Sequence, residues 1–421
     1  MVLRRMDQLA NKYRKPVLLI LSAVPAFFLT SLFIFGCAEN SSPNSELLSA
    51  ERLEQFEFDL QAQLDEWRED ERITGATISV YNPATGNVDL ASGHSKLSID
   101  PERSPDTPLE IDTPMFVSDI GHLLIAASVV ELANENVLDL EQSIQHWFPH
   151  IENSAQITVR NLLEHTSGIP VFYTEEFLDV LYEQSPTFSR SPDEVIAVAA
   201  AEGSFFPPGS QYGYSKTNYI VLGRIIELTT QRSLESELRK RFLDPLELTD
   251  TYLAGRENIP GGIPLGYEYA GPTSDAPTAI DGHVPQTPAI SVVSAEWASG
   301  ALVSTTADLI KLVQGIFESD EHADLTAELL KPAEHPAQQS ASLRIESGAG
   351  IFTWSEDGRR VSGQFGFTYP FSAQFLYWPD SKTVIAVIAN EVDSSRNPNS
   401  NFQLPVIENL TSEVKSMIDG L

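Results

Sequence analysis

Met115-Phe-Val-Ser-Asp-Ile-Gly-His122 opens the run around which this chain is organised. From Ile120 to Asn134 most residues are apolar or small, which predicts a long helix buried at the centre of the molecule. Two ionisable side chains, Asp119 and His122, stand at its start with i, i+3 spacing, which places them on one side of the first turn. Pro108-Leu-Glu-Ile-Asp112-Thr113 lies upstream and Leu138-Asp139-Leu140 downstream.

Further out, residues 46–70 carry Leu53, Phe56, Leu60, Leu64 and Trp67 at helical spacing, predicting an opening amphipathic helix. Ala76, Ile78 and Val80 alternate with Thr77, Ser79 and Tyr81, the period of a strand. Asn82-Pro-Ala-Thr-Gly86 then turns the chain into a second strand over 87–91. Between about 140 and 330 the pattern is helical and punctuated by Pro and Gly. That part contains Leu162-Leu-Glu-His-Thr-Ser-Gly-Ile-Pro170, Phe206-Pro-Pro-Gly-Ser-Gln-Tyr-Gly-Tyr-Ser-Lys-Thr-Asn-Tyr219 and Ser299-Gly-Ala-Leu-Val-Ser-Thr-Thr-Ala-Asp308. Ser304 or Thr305 is placed to cap a helix, with Asp308 in its first turn. Strands return over 374–378 and 383–389, and a last helix over 404–418 is expected beside the first.

Taken in order, these stretches resemble the class C β-lactamase and penicillin-binding-protein-like serine hydrolases over about residues 55–415. The resemblance implies an α/β sandwich, with an antiparallel sheet built from both ends of the chain, flanking helices and an inserted all-helical domain. The corresponding division is 49–140 and 335–421 for the sheet domain and 141–334 for the mainly helical insertion. The active-site cleft would lie at their junction.

The same register bears on chemistry. Acyl transfer in the family requires a serine hydroxyl, a lysine or tyrosine to take its proton, and an oxyanion hole. Asp119 stands where the family keeps its serine and His122 where it keeps its lysine. Tyr214 keeps the family tyrosine, while Lys216 replaces the asparagine two residues on. On the substrate-binding strand, Gln364-Phe365-Gly366 retains the glycine and carries a neutral amide in place of a cation or imidazole. A carboxylate attacking an amide yields a mixed anhydride, a poor intermediate from a weak nucleophile. Losing a serine nucleophile or its base costs roughly 10⁴–10⁶ in rate, or roughly 5–8 kcal/mol. Ser118 is adjacent, but on a helix it would point elsewhere, and no lysine follows three residues later. Ser412-x-x-Lys415 lacks every flanking mark and reads as coincidence, and His165 reads as structural.

The resemblance therefore implies a serine hydrolase-like protein that is catalytically inactive, with a binding or scaffolding role at the former cleft. Asp119, His122 and Lys216 would bring one carboxylate and one or two cations together. They would either neutralise one another or leave Lys216 to hold a carboxylate or phosphate and Gln364 an amide. The alternative is an active hydrolase (esterase, D-amino-acid peptidase or β-lactamase-like) using a non-standard nucleophile or water activated by Asp119 or His122. Two such ligands without a third make a poor metal site, so no metal and no cofactor is expected.

Composition and charge add the setting. The 421 residues carry a formal charge of −32, and five of the 27 basic residues precede position 16. From Cys37 onward, 22 basic residues face 58 acidic ones, a body that nucleic acid would repel. The basic start precedes an apolar run from Pro16 to Gly36 that reaches Cys37, the only cysteine. Ile34-Phe-Gly-Cys37 resembles a bacterial lipobox, with Cys37 the lipidated residue; the run is also about long enough to span a bilayer. Residues 1–36 are thus a signal peptide or a membrane anchor and 37–48 a polar tether. Either way the globular part is expected outside the cytoplasm, at the bacterial cell envelope. The expected partners are the membrane through this anchor and a small peptide or carboxylate ligand in the cleft.

Overall fold

A computed structural model describes residues 47–99, 104–271, 279–339, 344–356, 358–393 and 404–421. Cys37, the apolar run and most of the tether lie outside the described residues.

Helix α1 (Ala50–Asp70) starts where the Ser49 side chain accepts from the Arg52 amide. It buries Phe56, Leu60, Leu64 and Trp67, the face marked by their spacing. Burial of side chains of this size contributes roughly 1.5–3 kcal/mol each. Strands β1 (Gly75–Asn82) and β2 (Gly86–Lys96) form the expected hairpin, with Asn82 opposite Gly86. The Asn82 side chain accepts from Ala84 N–H at 2.9 Å, and Gly86 takes the positive φ of 69° that closes the turn.

The main sheet has nine strands. With β3 (Thr107–Pro108), β4 (Gln338–Gln339), β5 (Arg344–Ser347), β6 (Phe352–Glu356), β7 (Arg359–Thr368), β8 (Phe371–Trp378) and β9 (Thr383–Ala389), the order is β3-β2-β1-β9-β8-β7-β6-β5-β4. Every pairing is antiparallel, and β1 against β9 (Ala76 to Ala389, Tyr81 to Val384) joins the two ends of the chain. Strand β9 is buried on both faces. Val384, Ala386 and Ile388 enter the larger core, and Ile385, Val387 and Ala389 enter a second core beneath α1 and the terminal helix over Leu404–Asp419.

Residues 141–334 are mainly helical, with short strands at Tyr252–Leu253, Gly266–Tyr269, His283–Gln286 and Leu302–Ser304. Helix Thr306–Phe317 belongs to this stretch, yet it packs on β1 and β9, and Ser79 Oγ bonds Thr306 Oγ1 at 2.8 Å. Thr305 rather than Ser304 caps it, accepting from Asp308 N–H at 3.2 Å. The larger core runs without a break from the sheet into the helical part, which therefore has no core of its own. Its central element is the apolar helix α2 (Gly121–Asn134), at whose start sheet and helical part meet. Among the described residues no helix is long and apolar enough to cross a membrane.

Candidate functional site

The chain enters α2 through Met115–Phe116, paired with Val303 and Ser304, and then a single 3₁₀ turn over Ser118–Ile120. Strand β7 passes directly against this turn. A Cβ on Gly366 would lie 1.8 Å from the Val117 carbonyl oxygen and 3.2 Å from the Asp119 nitrogen, so only glycine permits the approach. Ser118 takes a φ of 48°, a left-handed conformation costly for a residue with a Cβ. That turn redirects its side chain. Ser118 was expected to point away on a helix; it lies on the turn before the helix, donates to the Phe367 carbonyl at 3.0 Å, and sits 3.4 Å from Lys216 Nζ.

Lys216 is the first residue of helix α3 (Lys216–Thr230). Its Nζ lies 3.1 Å from Asp119 Oδ1 and 3.3 Å from Glu296 Oε1, with all three side chains buried. Glu296 comes from helix α4 (Ile290–Gly300), which is broken by a non-helical Trp297 (φ 33°). A Cβ on Gly300 would stand 1.9 Å from Glu296 Oε2, so this glycine makes room for the carboxylate. The Tyr173 hydroxyl donates to Glu296 Oε1, and Thr368 Oγ1, on β7, lies 3.3 Å from Oε2. Of the two expectations, mutual neutralisation or a Lys216 left to hold a ligand carboxylate or phosphate, the contacts match the first. Lys216 is already held by two carboxylates of the protein.

Burial raises the Asp119 carboxyl to about 6; Lys216 opposes this, Glu296 adds to it, and a hydrogen bond from Tyr214 also favours the charged form. His122 is fully buried, stacked on the Tyr219 ring at 3.7 Å, with Nε2 3.6 Å from Asp119 Oδ1. Neither ring nitrogen has a hydrogen-bond partner of good geometry. Burial, then His165 and Lys216, push its pKa well below the ordinary range, and the Ser299 backbone is only a partial counterweight. His122 is therefore neutral and no substitute for a lysine, and of the one or two cations expected only Lys216 is present. Tyr214 is half-buried, its ring 6.2 Å from that of His122.

The remaining expectations fall outside this cluster. Gln364 spends its amide on the protein, donating to the Gly350 carbonyl at 3.1 Å and accepting from Phe365 N–H at 2.9 Å. His165 accepts from Ser215 N–H through Nδ1 at 3.2 Å, and burial lowers it to about 3, as suits a structural residue. Ser412 is exposed on the terminal helix, and Lys415 pairs there with Asp419. Among the described residues no group of three or more His, Cys, Asp or Glu is arranged to hold a metal.

Sequence reasoning thus brought Asp119, His122, Tyr214, Lys216 and Gly366 together and missed Glu296, Tyr173 and Thr368. A signal existed for Glu296, an acid within the otherwise uncharged Ile290–Gly300 and three residues before the Ser299-Gly300 motif. Chemically, the cluster holds one ammonium between two carboxylates. An ammonium so placed has no lone pair with which to take a proton from Ser118.

Comparison with known proteins agrees with this architecture. The β-lactamase family model matches residues 60–405. Protein flp of Staphylococcus aureus is 28% identical over 48% of this chain and 39% of its own length. Penicillin-binding protein 4* of Bacillus subtilis is 22% identical over 70% and 64%. The chain therefore spans less than two thirds of the length of these curated relatives. Among solved structures, the D-amino acid amidase from Ochrobactrum anthropi SV3 in complex with D-phenylalanine superposes with a TM-score of 0.73 at 22% identity, covering 87% of this chain and 99% of the amidase. The penicillin-binding protein from Bacillus halodurans gives 0.66 at 18% identity, covering 82% and 98%. With a family model matched over most of its length, a nine-stranded antiparallel sheet and flanking helices, this chain belongs to the β-lactamase family.

Proposed function

We propose that this protein is a non-acylating member of its family, held at the bacterial cell envelope by its N-terminus, whose cleft binds a small peptide rather than hydrolysing one. One observation carries the reading: the Lys216 ammonium is locked between Asp119 and Glu296 where a nucleophile and its base would have to work. Asp119 is a poor acyl acceptor, neutral His122 lacks the family cation's charge, and Gln364 is committed to the backbone. The basic N-terminal segment and Ile34-Phe-Gly-Cys37 support the envelope location. The purified protein is expected to turn over neither nitrocefin, p-nitrophenyl esters nor D-amino-acid amides above the rate of an Asp119→Ala variant. Turnover that this substitution abolishes would overturn the reading.

A second reading rests on the 3.4 Å between Ser118 Oγ and Lys216 Nζ, a hydroxyl beside an amine one residue from the family position. It makes the protein a hydrolase with a displaced nucleophile and requires turnover that Ser118→Ala removes.

A further inference from the structure

The charges in the cleft do not balance, and the imbalance points to a ligand. Asp119 and Glu296 share the single ammonium of Lys216, while Tyr214 offers Asp119 only a hydrogen bond and the nearby His122 is neutral. The buried cluster thus carries one uncompensated negative charge, in a place where water screens little. A second feature marks the same spot. His122 is fully buried, has no hydrogen bond of good geometry at either ring nitrogen, and aims Nε2 at Asp119 from 3.6 Å. A buried imidazole without a well-formed hydrogen bond is uncommon, and this one leaves the Asp119 carboxylate without a donor from its side. The side chain of Asp119 keeps a 10% exposed edge, and the hydroxyls of the half-buried Tyr173 and Tyr214 bond Glu296 and Asp119.

We infer that the cleft recognises a ligand through a single ammonium group, such as a peptide amino terminus or a primary amine, seated against Asp119 between Tyr173 and Tyr214. This deepens the proposed binding role and rests on it, and it replaces the expectation of a carboxylate ligand. An added cation neutralises the cluster, the Tyr173 and Tyr214 hydroxyl oxygens can accept from it, and an anion would meet a site already negative inside a strongly acidic body.

A proton on Asp119 removes the same charge, so proton and ligand compete. With the Asp119 carboxyl raised to about 6, the ligand binds to the ionised form and is displaced in acid.

The test is calorimetric titration of the full-length protein with three matched probes: phenethylammonium, 2-phenylethanol and 3-phenylpropanoate. Phenethylammonium is expected to bind, about tenfold more weakly at pH 5 than at pH 7.5, since about nine tenths of Asp119 is protonated at the lower pH. The neutral and anionic probes are expected to show no saturable binding. Asp119→Asn, which keeps the shape and relieves a buried charge, is expected to weaken phenethylammonium about tenfold at pH 7.5 and to abolish the pH dependence. Equal or tighter binding of 3-phenylpropanoate would overturn the inference, as would no binding of phenethylammonium, or binding unchanged by acid or by Asp119→Asn. Turnover of the substrates above would refute the non-acylating reading alone, whereas failed ammonium binding in a protein without turnover would refute this inference alone.

Discussion

Two buried carboxylates in this molecule, Glu391 and Asp119, show what separates a structural acid from a site. Glu391 follows the end of β9 and is fully satisfied. It accepts from Thr74 N–H and the Thr74 hydroxyl, each at 2.6 Å, and stands 2.6 Å from His283 Nδ1. Those contacts tie the start of β1 to the His283–Gln286 strand. Asp119 is equally enclosed, but it shares the Lys216 ammonium with Glu296 and faces a histidine whose nitrogens make no hydrogen bond of good geometry. Burial, which Lys216 and Tyr214 only partly offset, raises its carboxyl to about 6 and leaves a place for a further charge. The second arrangement lies at the junction between sheet and helical part, at the start of α2.

The contrast is sharpened most by removing the shared cation. Lys216→Met leaves two carboxylates buried together, and the expected loss is about 3–5 kcal/mol at pH 8, read by urea unfolding. A loss below about 1 kcal/mol would mean that the pair is already solvated or protonated.

Asp119→Asn is expected to act in the opposite sense. A carboxyl shifted from 3.8 to about 6 costs up to about 3 kcal/mol when ionised. The folded state holds the Asp119 proton more tightly than the unfolded chain, so this stability is fully present below pH 3.8 and is lost as pH rises through about 6. The variant should therefore gain up to about 3 kcal/mol above pH 6 and nothing below about pH 4. His122 and His165 oppose this trend. Both are held neutral, so stability falls as pH drops below about 6.5, by about 1.4 kcal/mol per pH unit for each. Asp119→Asn should thus steepen acid destabilisation between pH 6 and 4 by about 1.4 kcal/mol per unit, measured as the difference in unfolding free energy between variant and parent.

At the satisfied acid the sign reverses. Glu391→Gln faces the two Thr74 donors with an amide and is expected to destabilise by about 2 kcal/mol, with no gain at any pH. A stabilising outcome would erase the distinction between the two acids. The smallest effect is expected at Ser118, where Ser118→Gly loses the bond to the Phe367 carbonyl but relieves the left-handed backbone, for a net change within about 1 kcal/mol.

The sheet and the central helix were legible because period and burial coincide. Ile78 and Val80 alternate into one core, Phe56 to Trp67 line one helix face, and Ile120 to Leu132 is apolar or small except at His122 and Glu131. Half of the site was legible through position, since Asp119, His122, Tyr214 and Lys216 stand at recognisable places along the chain. The other half was not. Glu296 meets Lys216 across two helices eighty residues apart, a contact without a local pattern. The direction of Ser118 depends on a positive φ that serine does not announce. The neutrality of His122 follows from enclosure by Tyr219 and His165, which only the packed structure reveals.

The central claim is that no acylating hydroxyl survives where the family keeps one. Incubating the full-length protein with excess fluorophosphonate and, separately, with benzylpenicillin, followed by intact-mass measurement, tests it most directly. The account predicts an unmodified mass in both cases. A stoichiometric adduct that peptide mapping places on Ser118 or Asp119 would contradict it.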